Sequence, residues 1–413
     1  MRADTLTVLR CPYCGGRLEL VTSSFHRRDG DAIRDGILAC HCCVFPVVAG
    51  IPVMHLEAAA VAARELVEAG NPEGAARKMF GLDDEQAERF ERAAASPAAT
   101  YRDLVDALGP SFEGGYFLYR FSDPTFLVAD AVVRSVARVV VNGAAEGRTI
   151  DVCGGSGHLT RSLSAESPRP VIADLYFAKL WLARRFTAPD CEPVCCDGNA
   201  PLPFAKRSFD VVVCSDAFHY IWTKRQLASE MMRVARDAGA VVVTHAHNAD
   251  QWNPSAGMPL PPDAYRELFE EMNARVFAER QLLADVVRGG PLDLARRDDL
   301  ATLDADPALT IVASRRAEVF RAHRLPPPLP EARGEFRLNP LYAVDADGDR
   351  IRLRLRFPSD DYAEEYGAAR AYLAEDVAIE PAALAALPAE RLPAALADLA
   401  RRWVVLDLPR NYY

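Results

Sequence analysis

The segment Thr149-Ile150-Asp151-Val152-Cys153-Gly154-Gly155-Ser156-Gly157-His158-Leu159-Thr160 constrains this chain most. An apolar strand runs straight into a glycine-rich turn, and a helix opens behind it. Glycine there lets the backbone turn sharply and approach a ligand closely. Alone, such a turn fits many nucleotide-binding domains, and also a plain strand–helix connection. Around it, short apolar strands are predicted at 149–153, 170–174, 192–196, 209–214 and 240–245, mostly separated by amphipathic segments of helical length. Strands alternating with helices predict a parallel, doubly wound sheet, whose ligands bind at the carboxyl ends of the strands. A late strand at 309–314 is placed to close it.

Two acids sharpen the reading. Pro170-Val171-Ile172-Ala173-Asp174 ends in a carboxylate 174 − 151 = 23 residues after Asp151, where an acid can hydrogen-bond a ribose diol. Cys196-Asp197-Gly198-Asn199-Ala200-Pro201-Leu202-Pro203-Phe204 sets Asp197 at the third strand end, where it can accept from an adenine amino group. The run from Ser208 to His219 is a buried strand followed by a polar turn.

Together these motifs resemble class I S-adenosylmethionine-dependent methyltransferases, of the ubiquinone/menaquinone-biosynthesis type, over roughly 148–247. The fold class expected is α/β, a Rossmann-like doubly wound sheet with an N-terminal zinc ribbon and an α+β C-terminal extension. The resemblance implies S-adenosyl-L-methionine as cofactor, held by Asp151, Cys153, Gly154, Gly155, Gly157, Asp174, Leu175, Asp197, Gly198 and Ser215. Gly155 and Gly157 would face its methionine and ribose parts, Asp174 the ribose hydroxyls, Asp197 the adenine amino group, and Ser215 the wall near the methyl. Arg120, before the first helix of the domain, is a candidate partner for the methionyl carboxylate. Cys153 stands where the motif has its first glycine, so a slightly shifted loop with binding retained is expected.

The chain has ten cysteines, five of them within its first 43 residues. Cys11-Pro12-Tyr13-Cys14 and Cys40-His41-Cys42-Cys43 form two thiolate pairs able to surround Zn²⁺ tetrahedrally. A closed four-thiolate site is structural, and it supplies folding energy that a module of about 55 residues lacks. The segment resembles the zinc-ribbon small activator subunit of tRNA and release-factor methyltransferases, on its Cys-Pro-x-Cys start, Phe45-Pro46 and Gly50-Ile51-Pro52-Val53-Met54. Cys11, Cys14, Cys40 and Cys43 are the favoured ligands, with Cys42 the alternative to Cys43. The resemblance implies a ribbon acting in cis as a scaffold or lid.

At 413 residues, half of them apolar, the chain exceeds one compact core. Four regions are expected: the ribbon at 1–55, a helical lid and N-terminal helices at 56–147, the cofactor domain at 148–325 with an insertion at 248–300, and the C-terminal extension at 326–413. In the extension, apolar runs at 341–344 and 351–357 flank Asp345-Ala346-Asp347-Gly348, a hairpin signal. The extension is a candidate for completing the cap or for homodimer formation. No apolar run approaches the ~20 residues of a membrane span, and the N-terminus lacks a signal-peptide core, so a soluble, cytoplasmic protein is expected. The net charge of −10, with no basic stripe, argues against a nucleic-acid partner.

Methyl transfer needs alignment, exclusion of water and often a proton acceptor. Candidates stand at the ends of the fourth and fifth strands: His219 and Tyr220, then His245 and His247, so that three of the eight histidines are concentrated there. A histidine at a strand end is as often a partner for loop carbonyls. The expected function is methyl transfer to a small-molecule, specialised-metabolite acceptor. An RNA methyltransferase with a zinc-ribbon RNA-binding module, a non-catalytic cofactor-binding scaffold, and another use of the sulfonium stand as alternatives.

Overall fold

The computed structural model describes residues 1–22, 25–109, 114–141, 147–253, 257–327, 330–347 and 350–413. Gly348, part of the hairpin signal above, lies outside the described residues.

Seven strands form the central sheet: β1 (Thr149–Val152), β2 (Val171–Asp174), β3 (Glu192–Cys195), β4 (Phe209–Ser215), β5 (Ala235–His247), β6 (Arg275–Ala278) and β7 (Ala308–Ser314). Their order is β3-β2-β1-β4-β5-β7-β6. The first five run parallel. β7 is antiparallel to both of its neighbours, so the sheet is mixed where an all-parallel one was expected. All seven residues of β7 are buried, and a run apolar on both faces carries no signal of direction. β6 is the second departure. Residues 248–300 read as an insertion over the pocket, yet four of them form the edge strand of the sheet.

Helix α1 (Pro124–Val141) has the bounds its pattern predicts, starts on proline, and buries most of its length under β4 and β5. Asp123 accepts the N–H of Phe126 at 2.7 Å and fixes its first turn. Ahead of it, the lid region forms helices Ala58–Glu68, Pro72–Phe80, Asp84–Ala95 and Tyr101–Leu108. The break between the first two falls at Asn71-Pro72, where Asn71 caps Gly74 N–H at 2.9 Å.

The N-terminal module is a small antiparallel sheet built on Ala32–Ala39 and Val44–Val48. It extends the central sheet: Val53 bridges Cys195 in parallel, and Met54 N–H donates to Cys195 O at 2.7 Å. The open edge of β3 is thereby covered, which removes a row of unpaired backbone groups. Leu9 bridges Phe204, and Ala205 N–H reaches Val8 O at 2.8 Å.

The C-terminal extension holds two three-stranded sheets, one of them containing the expected hairpin of Tyr342–Asp347 and Arg350–Leu355. It folds back onto the other regions. Tyr372 Oη donates to Ser122 O at 2.7 Å, and Arg161 pairs with Asp407 at 2.8 Å. Tyr412, fully buried, stacks on Tyr101 with ring centroids 4.7 Å apart. Its hydroxyl donates to Phe117 O at 2.6 Å and meets His158 Nε2 at 2.6 Å. Tyr412→Ala removes a packed ring and two buried hydrogen bonds, so denaturant unfolding should show a loss of about 3–5 kcal/mol. A loss below about 1 kcal/mol would show that this contact does not hold the extension.

Candidate functional site

The turn after β1 winds through three left-handed residues: Cys153 at φ 58°, Gly155 at 56° and Gly157 at 82°. A Cβ on Gly157 would lie 2.8 Å from Ala183 Cβ and 2.9 Å from Thr187 Oγ1, so glycine is required there by space as well as by φ. Cys153 keeps the conformation glycine favours, at a strain of ~1–2 kcal/mol, and its Sγ packs against Gly198. Asp216, after β4, and His245, at a bulge in β5, are also left-handed, at φ 51° and 52°. Strained residues thus gather where three central strands end, a pattern typical of functional sites.

A cavity of about 680 Å³ opens at these strand ends, within the ~300–1,000 Å³ range of small-molecule sites. Of the expected cofactor positions, Asp151, Cys153, Gly154, Gly155, Asp174, Leu175, Asp197, Gly198, Ser215 and Arg120 all line it. Gly157 sits behind it and closes the turn. Asp174 Oδ2 accepts Gly155 N–H at 2.9 Å, and Oδ1 accepts Tyr176 N–H at 2.8 Å. Asp197 Oδ1 accepts Asn199 N–H at 2.8 Å, and Ser215 Oγ accepts from Thr244 Oγ1 at 2.8 Å. Asp151 is buried with Thr160 Oγ1 on one oxygen at 2.7 Å, and burial pushes its carboxyl up to about 7. Phe117 and Tyr116 from the lid, with Glu365 and Tyr366 from the C-terminal extension, complete the wall. Those last two lay in a region to which sequence reasoning gave no site residue.

Arg120, in the cavity wall, has its guanidinium 2.7 Å from Asp216 and 3.4 Å from Asp123, so two protein carboxylates face the charge that was expected to meet a methionyl carboxylate.

The structure brings His219, His245, His247 and Tyr220 together; Tyr220 lines the cavity and the histidines stand behind it. His219 and His247 stack at 3.6 Å, His219 and Tyr220 lie 4.1 Å apart, and His245 and His247 lie 5.4 Å apart. Their chemistries diverge. Burial opposes charge on His245, but Glu279, at 2.8 Å from Nδ1, outweighs it and raises the imidazole to about 9. The Glu279 carboxylate thus favours the charged form of His245, the form that donates a proton. Glu279 is fixed by His245 N–H and by Thr310 Oγ1, each at 2.7 Å. No spacing in the sequence flagged this acid, since it comes from the helix after β6. Burial lowers His219 to about 3 and His247 to about 4, so both stay neutral and are weak bases.

At the N-terminus, the sulfurs of Cys11, Cys14, Cys40 and Cys42 all lie within 4.8 Å of one another. Cys11–Cys42, Cys14–Cys40 and Cys40–Cys42 are 3.7, 3.8 and 3.6 Å apart. A tetrahedron of ~2.3 Å Zn–S bonds has edges of about 3.8 Å, so the quartet fits zinc. Cys42, not the favoured Cys43, completes it. Cys43 immediately precedes the strand Val44–Val48, and its Sγ accepts from the Cys42 thiol at 3.4 Å.

Residues 150–239 match a family model described as a methyltransferase domain. No curated protein matches the chain. Among solved structures, the YcgJ protein of Bacillus subtilis is similar at 16% identity, over 44% of this chain and 98% of that one, with a TM-score of 0.32. Geranyl diphosphate C-methyltransferase of Streptomyces coelicolor is similar at 14% identity, over 44% and 75%, with a TM-score of 0.33. A chain from the complex of the Haloferax volcanii Trm112 methyltransferase activator with a methyltransferase is similar at 17% identity, over 44% and 89%, at 0.32. Likeness at these scores carries no inference.

Two outcomes test the site. Because His245 is raised from 6.5 to about 9, its pairing with Glu279 stabilises fully below about pH 6.5 and fades as pH rises through about 9. Glu279→Gln should therefore lower stability by about 3 kcal/mol at the acid end of that window and far less beyond it; a loss independent of pH would remove the imidazolium assignment. For the thiolates, Cys42→Ser should abolish tight zinc binding in a chelator competition while Cys43→Ser keeps it; the reverse result would restore Cys43. The stretch 150–239 thus matches the methyltransferase-domain family, set in the Rossmann-like α/β fold of class I methyltransferases.

Proposed function

We propose that the chain is an S-adenosylmethionine-dependent methyltransferase acting on a small-molecule acceptor, with its N-terminal ribbon held by a structural zinc ion. One observation carries the reading. Asp174 and Asp197, at successive strand ends, border a glycine-rich turn in a single cavity, inside the stretch that matches a methyltransferase domain.

The residues present suit the cofactor. Both oxygens of Asp174 are aimed by backbone N–H groups, and a carboxylate oriented in this way is the acceptor type a ribose diol needs. Asp197 is aimed by Asn199 and is placed for an exocyclic amine. Added bulk at Gly155 would meet nothing nearer than Phe117 at 3.9 Å, so that side of the turn is open to a ligand. The cofactor supplies an electrophilic methyl on a sulfonium. The chain's part is to hold the nucleoside by its two acids, present Ser215 at the fixed angle set by Thr244, and keep water out with the aromatic wall of Tyr116, Phe117 and Tyr366. Enclosure by residues from both the lid and the C-terminal extension favours an acceptor small enough to be surrounded. Cys11, Cys14, Cys40 and Cys42 would hold Zn²⁺ in a closed site with no open position, so its role is to fix the ribbon.

Calorimetry tests the reading. The chain should take up S-adenosylmethionine or its demethylated form, and Asp174→Ala should weaken uptake by about tenfold to a hundredfold through lost charge-assisted hydrogen bonds. Folded wild-type protein that takes up neither compound would refute the assignment.

A further inference from the structure

We propose that Asp216, His219 and His247 form a second metal site, for a divalent transition-metal ion, in the wall of the cavity. One oxygen of Asp216 and one nitrogen from each histidine all lie within 4.8 Å of one another. Asp216 and His219 stand three residues apart in the loop after β4, and the fold brings His247 to them from the end of β5.

The independent observation is His219 itself. Its side chain is 0% exposed, yet neither ring nitrogen has a hydrogen-bond partner among the described residues. Buried polar groups are nearly always paired, so something other than the described side chains meets this one. His247 is 2% exposed and stacks on it at 3.6 Å. Stacked rings share one ion when one of them swings edge-on, and no hydrogen bond within the described residues holds His219 against that turn. Two imidazoles and one carboxylate are the donor set of mononuclear iron and catalytic zinc sites, and three protein ligands leave coordination positions open.

Arg120 and His245 flank the site: Arg120 lies 2.7 Å from Asp216 and 3.4 Å from Asp123, and His245 lies 2.8 Å from Glu279. Asp216 is the ligand that also lines the cavity, so the open positions are those nearest an acceptor. The class of acceptor they select is one offering an oxygen, a hydroxyl or carboxylate, to the ion. That consequence rests on the methyltransferase reading above; the ion site does not.

The test uses the full chain, stripped of metal and dialysed against Co²⁺, with ions counted by atomic emission and typed by visible absorption. Two ions per chain are expected. One shows intense thiolate charge-transfer bands from the cysteine quartet, and one only the weak bands of nitrogen and oxygen ligands. His219→Gln, His247→Gln and Asp216→Asn should each keep the thiolate-type ion and bind the second at least about tenfold more weakly. A wild-type chain holding only the thiolate-type ion overturns the proposal, as does retention of both ions by all three variants. Should a variant fail to fold, the wild-type spectrum still decides. Calorimetry with the cofactor separates the two readings: cofactor uptake without the second ion defeats the metal site alone, and the second ion without cofactor uptake defeats the methyltransferase reading alone.

Discussion

The architecture depends on one tight turn. Between β1 and the helix His158–Leu163, the backbone passes through left-handed positions at Cys153, Gly155 and Gly157, and it holds there because Asp174 accepts Gly155 N–H at 2.9 Å. That bond joins the ends of two neighbouring strands and orients the carboxylate at the same time. Close packing of Gly157 against Ala183 and Thr187 then fixes where the next helix starts. The sheet supplies the platform, and this turn decides that its carboxyl end opens as a cavity instead of closing as a packed loop.

The two additions to the domain solve different physical problems, the N-terminal one with a backbone hydrogen bond and the C-terminal one with tyrosine hydroxyls. The N-terminal module pairs Met54 with Cys195 at the edge of β3. The C-terminal extension pairs Tyr372 with Ser122 and Tyr412 with Phe117 and His158, so the lid is clamped from a second side. His158 pays for its burial by losing its charge, with its imidazole lowered to about 3. Glu365 and Tyr366 of the extension reach the cavity.

What the sequence revealed follows from the range of the interactions involved. Strand–turn–helix periodicity is local, so β1 to β5, α1 and the acids at 174 and 197 were readable one by one. The direction of β7 and the four residues of β6 were not, because a short strand buried on both faces carries no pattern of its own. The cysteine quartet was readable as a cluster but not to the last ligand. Cys42 and Cys43 are adjacent, and only the turn into the strand Val44–Val48 decides which sulfur faces inward. The histidines were found by their crowding at strand ends. Their protonation states were hidden, because Glu279 reaches His245 from a helix 34 residues further along.

The walls of the cavity have a kinetic consequence. Ring contacts such as Tyr116 with Tyr366, at 6.1 Å, and bonds such as Tyr372 to Ser122, separated by 250 residues, close very long loops. Contacts of that sequence separation form late, after local helices and hairpins have condensed. Each such contact carries a loop-closure cost, and a small molecule that bridged the 56–147 helices and the extension would offset part of it.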